Sequence, residues 1–152
     1  WYEYTHDAWY KDQAERFFNL ATYMCHQNGV VSVGPNWPGS WWSDGYGDYI
    51  RHFMEGLAAI PEWAPVDQDH LLKSTSVIQN IDYSPRQLSY TTFDADAVEV
   101  LRLTRKPSSV HSGATLLKER TVLDAPGWTW IKLNKGGVMR VRHANAEVRV
   151  IK

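Results

Sequence analysis

The chain has 152 residues, enough for one ordinary domain or two small ones. A hydrophobic share of 43% against 22% charged residues excludes a disordered chain. The net charge of −1 gives no electrostatic case for nucleic acid or an anionic membrane surface, and no apolar run is long enough to cross a bilayer as a helix.

The first residue is Trp1 rather than Met, so the chain reads as a processed product or an excised piece. The compartment is left open, with secretion or the periplasm as the expectation. Six of the eight Trp (Trp1, Trp9, Trp37, Trp41, Trp42, Trp63) precede residue 65, so the aromatic excess belongs to the N-terminal part.

Residues 5–28 are expected to form a helix capped by Thr5, with Asp7 in its first turn. Tyr10, Ala14, Phe17, Ala21, Met24 and Asn28 step by threes and fours into one stripe, widened by Phe18 and Cys25. Cys25 is the lone cysteine, so it has no internal disulfide partner and reads as a small buried hydrophobe. Gly29 suits a left-handed helix stop.

A second helix is expected from about Gly45 to Ile60, with Tyr46, Ile50, Phe53, Met54, Leu57 and Ala58 as its apolar face. Ser43 or Asp44 can cap it, and Pro61 stops it. Such a hairpin has more apolar surface than it can bury alone.

Between the helices lies PNWPGSWWSDGYGDY (35–49), a loop running into a helix start. Flat aromatic faces and carboxylates meet there without an opposing charge. That chemistry suits an uncharged, hydroxyl-rich ligand such as a sugar, because C–H faces stack on indole while carboxylates accept hydroxyl protons. The ligand-binding candidates are Trp37, Trp41, Trp42, Asp44, Tyr46 and Asp48; the plainer alternative is that these aromatics fill a gap between layers.

After Pro65 the pattern becomes short β-branched runs between turn signals. Strands are expected near 71–79, 87–93, 98–104, 108–111, 115–119, 128–133, 137–143 and 146–151. Trp128 and Trp130 share parity and should face one side. The fold class is therefore α+β: an N-terminal two-helix hairpin over residues 1–65, then an antiparallel β-sandwich of about eight strands over 66–152.

The runs SDGYGDYIRHFMEGLAAIPEWAP (43–65) and YTTFDADAVEVLRLTRKPSSVHSG (90–113), followed by GWTW (127–130), resemble the C-terminal end of bacterial six-hairpin, glycosidase-like proteins. In that group an α/α toroid of six helical hairpins precedes a β-sandwich, and only one hairpin is present here. The resemblance implies the tail of a carbohydrate-active protein whose partners are a glycan or oligosaccharide and a missing N-terminal toroid domain. The alternative is a non-catalytic docking module that packs on a missing domain or forms a homo-oligomer. Fold analogy does not carry activity with it.

Asp44 and Asp48, four apart at a helix start, are the catalytic candidates. A glycosidase needs two carboxylates roughly 5–9.5 Å apart. The simpler role for both is capping and offsetting the helix dipole, and this piece alone is not expected to be catalytic. No cofactor is implied. No His or Cys spacing marks a metal site; Asp94, Asp96 and Asp124 are more simply turn residues than calcium ligands. An Asp48–His52 pair would be an ordinary helix-surface contact. Arg140, Arg142, Arg149 and Lys152 are expected on the solvent face of the last strands.

Overall fold

The structure, a computed structural model, describes residues 1–22, 27 and 45–152, with the side chains of 45–48 excepted. The chain divides into two compact units, residues 1–60 and 61–152.

In the first unit, α1 (Tyr2–Thr5) and α2 (Ala8–Thr22) replace the single helix expected from residue 5. The break is at His6, which adopts φ 55°. The Thr5 hydroxyl donates back to the Trp1 carbonyl at 3.0 Å, closing α1 instead of opening the next helix. Asp7 is the true cap: its Oδ1 accepts the Trp9 N–H at 2.9 Å. Replacing Asp7 with Ala is expected to weaken α2 by about 1 kcal/mol. A thermal melt followed by helical circular dichroism should show it, and an unchanged helical transition would refute the cap.

The third helix, α3, runs Gly45–Ala59, close to the expected span. It meets α2 through Phe18, whose ring lies edge-on to Phe53 at 5.7 Å and to Tyr49 at 6.5 Å. The Thr22 and Tyr49 hydroxyls are 3.3 Å apart. Gly56 permits the approach, since a Cβ there would stand 2.8 Å from Phe18 Cε2. The expected stripe is thus rotated: Phe18, not Phe17, faces α3, and Phe17 is 69% exposed. Within the expected apolar face of α3, Leu57 and Ala58 are buried, while Ile50 and Met54 are 40% and 45% exposed.

The second unit opens with a 3₁₀ turn at Pro61–Trp63 and continues as nine strands. These are β1 (His70–Ser74), β2 (Ile78–Tyr83), β3 (Gln87–Thr92), β4 (Asp96–Leu103), β5 (Ser109–Ser112), β6 (Thr115–Leu117), β7 (Gly127–Lys132), β8 (Gly137–Ala144) and β9 (Glu147–Ile151). They form two antiparallel sheets, in the orders β1-β4-β8-β7 and β2-β3-β9-β5-β6. The run expected as one strand over 71–79 is two strands in different sheets. The hydroxyls between them explain the split: Ser74 Oγ accepts the Ser76 N–H, Thr75 Oγ1 accepts that of Val98, and Ser76 Oγ accepts that of Asp94. Side chains that take up backbone donors in this way favour a turn over a continuous ladder.

The core lies between the sheets. Leu101 and Leu103 of β4, Met139 and Val141 of β8, and Trp128 of β7 meet Leu88 and Tyr90 of β3, Val110 of β5, Leu117 of β6, and Val148 and Val150 of β9. Trp130, of the same parity as Trp128, packs against the edge of this cluster as expected. The turn joining β7 to β8 is tight. Gly136 has φ 63°, and a Cβ there would stand 2.7 Å from Arg102 Nη1 and closer still to the Leu103 carbonyl oxygen.

Candidate functional site

Of the residues expected to bind or act on a ligand, Trp37, Trp41, Trp42 and Asp44 lie outside the described residues. Tyr46 and Asp48 belong to α3, and their side chains are outside the described set. His52 contacts Glu55, its Nδ1 lying 3.3 Å from Oε2. Arg51 reaches the other oxygen of the same carboxylate at 3.2 Å. Those two hydrogen bonds hold the exposed Glu55 carboxyl below its ordinary pKa.

The sandwich contains a polar cluster that the sequence analysis missed. Glu99 of β4 and His143 of β8 point into the space between the sheets, and both side chains are 0% exposed. His143 Nε2 lies 2.9 Å from Glu99 Oε2. That same oxygen accepts the Tyr90 hydroxyl at 2.9 Å, and Oε1 accepts the Ser74 hydroxyl at 2.9 Å. Tyr90 stands on the opposing sheet, so the carboxylate ties the two layers together.

The charge state follows from the partners. His143 Nδ1 lies 3.0 Å from the Ala95 carbonyl oxygen, which can only accept, so Nδ1 carries a proton. Nε2 lies 2.9 Å from a carboxylate oxygen, an ion-pair contact without the alignment of a hydrogen bond, and the negative charge favours a second proton there. Burial alone would lower the His143 pKa, but the adjoining Glu99 carboxylate outweighs it and raises the value. Burial, then the Glu99 charge, pushes the Tyr90 hydroxyl well above its ordinary pKa. An acid and a base in contact form a proton-transfer pair only where substrate can reach them. Here neither side chain meets solvent, so the arrangement acts as an internal joint.

The open concavities lie elsewhere on this unit. A groove of about 830 Å³ is lined by Asp67, Asp69, His70, Tyr83, Arg105 and Lys152 among others. Its floor corrects an expectation: Lys152 is not a solvent-facing charge. Its Nζ donates to Asp69 Oδ2 at 2.6 Å and to the Ser84 carbonyl at 2.5 Å, with both charged side chains less than a tenth exposed. Asp69 Oδ1 accepts the Thr104 N–H at 2.7 Å and its hydroxyl at 2.9 Å. Burial alone would raise the Asp69 pKa; the bonds from Lys152 and Thr104 outweigh it and lower the value. Arg142 is also engaged, pairing with Asp96 at 3.4 Å and donating to the Asp124 carbonyl at 3.2 Å. Asp94 takes the Ser76 hydroxyl at 2.8 Å, the turn role expected of it. Among the described residues no cluster of three or more metal-ligating side chains occurs, and no helix is long and apolar enough to cross a membrane.

Comparison of the chain with protein-family models, with curated proteins and with solved structures returned no match.

Proposed function

We propose that the chain is the C-terminal portion of a carbohydrate-active protein, glycosidase-like in architecture, in which the helical hairpin packs against further helical structure. The aromatic stretch 35–49 then contributes to glycan binding, and the sandwich braces the assembly. The observation that carries this reading is the uncovered apolar surface of the helical unit. Phe17 and Leu20 of α2 are 69% and 54% exposed, and Ile50 and Met54 add to them on α3. Large apolar side chains grouped on one small unit mark an interaction surface. The indole-rich composition of 35–49 supports the ligand class, since stacked rings and carboxylates recognise neutral polyols.

Two measurements test the proposal. Trp fluorescence titrated with a panel of neutral oligosaccharides should shift with at least one of them; silence across the panel counts against glycan binding. In sedimentation, the isolated chain should self-associate reversibly through the uncovered face. Replacing Phe17 and Leu20 with Ser should then favour the monomer without lowering the melting temperature. A wild-type chain that stays monomeric would remove the case for a docking face.

A further inference from the structure

A second cleft, of about 580 Å³, opens beside the β7–β8 turn and is lined by Glu62, Val66, Arg102, Lys132, Leu133, Asn134 and Lys135. Arg102 is its unusual member. It is 1% exposed, yet among the described residues it forms no ion pair with a carboxylate. Its Nη1 donates to the carbonyls of Leu103 at 2.7 Å and Gly137 at 3.2 Å, and its Nη2 donates to the carbonyl of Lys135. Among the described residues Nε has no hydrogen-bond partner. Burial lowers the Arg102 pKa, with only the distant charge of Asp69 opposing it. A buried cation solvated by carbonyl dipoles alone is costly unless a counter-charge completes it.

The rim adds to the same sign. Lys132 and Lys135 are exposed and enter no ion pair among the described residues. The lining therefore sets three cations against one carboxylate, that of Glu62. In a concave, partly desolvated site such a set concentrates positive potential.

We propose that this cleft binds the carboxylate of a uronic acid residue, so that the glycan of the preceding section carries uronate beside the neutral residues offered to the aromatic stretch; the proposal rests on that reading. The two lysines draw the carboxylate in and donate to it. Arg102, already aligned by the turn carbonyls, provides the fixed charge at the base. The sugar hydroxyls meet Asn134 and the turn backbone.

The test is a titration of the isotope-labelled chain with sodium glucuronate, glucose and sodium acetate, followed by amide shifts of Lys135–Gly137. Concentrations to about 50 mM suffice for the millimolar affinity that a few charge-assisted hydrogen bonds in an open cleft support. Glucuronate should move these amides and glucose should not. The K132Q/K135Q double variant, which alters only exposed side chains, should weaken binding at least about tenfold. Immobile amides, or shifts undiminished in the double variant, overturn the proposal. Acetate acting as strongly as glucuronate overturns the uronate assignment and weakens the glycan reading with it. Neutral oligosaccharides shifting Trp fluorescence while glucuronate leaves the turn untouched would sink this inference and leave the preceding reading intact.

Discussion

Replacing Glu99 with Ala is expected to destabilise the sandwich by about 3–5 kcal/mol, the range for removing one partner of a buried ion pair. The substitution strands His143 as an uncompensated buried cation or forces it neutral, and it deprives the Tyr90 and Ser74 hydroxyls of their acceptor. The double replacement of Glu99 and His143 with Leu should cost less than the sum of the two single replacements, because the apolar pair leaves fewer unsatisfied groups. Urea unfolding of the wild type, Glu99→Ala and the three Leu variants measures this. A loss below about 1 kcal/mol in Glu99→Ala, the scale of an ordinary surface substitution, would mean that the cluster does not hold the layers together.

The same pair sets a pH dependence. The folded pKa of His143 is raised, so the native state holds a proton that the unfolded chain releases. The contribution is fully present below the unfolded His value of about 6.5 and is lost as pH rises through the raised folded value. Stability should therefore decline from near neutrality upward. In His143→Leu that part of the decline should vanish. A wild-type profile that rises over the same interval would contradict a protonated His143.

Gly136→Ala is expected to cost about 3–5 kcal/mol, combining left-handed strain with the displacement of carbonyls from Arg102. The added methyl would overlap the Leu103 carbonyl oxygen, which belongs to β4 and cannot swing aside. Gly113 is the control. It has φ 57°, but the nearest atoms a Cβ there would meet belong to the Asn145 side chain, at 2.9 Å, which can move at the expense of the bond its Oδ1 accepts from the Glu147 N–H. Gly113→Ala should cost about 1–2 kcal/mol, mostly the backbone term. Equal losses at the two positions would show that the β7–β8 turn tolerates movement.

Much of the architecture was legible because punctuation and parity agree. Pro61 ends α3, Lys135–Gly137 marks the β7–β8 turn, and Trp128 with Trp130 identifies the inward face of β7. The buried cluster was hidden for a physical reason. In β4 both faces are apolar or buried: Ala97, Leu101 and Leu103 on one side, Val100 and Arg102 on the other. Alternation therefore could not say which face carries Glu99 into the interior. Its partner His143 lies far along the chain and becomes a neighbour only through the β4–β8 register, which sets Ala97 opposite His143 and Glu99 opposite Val141. The shared parity of Glu99 with Leu101 and Leu103, and of His143 with Met139 and Val141, was the available signal. The split between β1 and β2 was missed because Leu, Ile and Val continue through it, while the hydroxyls that break the ladder look compatible with a strand. The aromatic stretch 35–44, on which the ligand expectation rests, lies outside the described residues.

The position of β9 governs how this unit can be assembled. It lies between β3 and β5, pairing Ser89 with Arg149 on one side and His111 with Arg149 on the other. During synthesis the β2–β3 and β5–β6 hairpins emerge long before the strand that joins them, and each presents an open edge in the interval. Closure must wait for the chain to reach Ile151, so folding is expected to be slow and dominated by distant pairings. A nascent chain stalled just short of β9 would display two sticky hairpins in place of the five-stranded sheet, the stage at which a chaperone matters most.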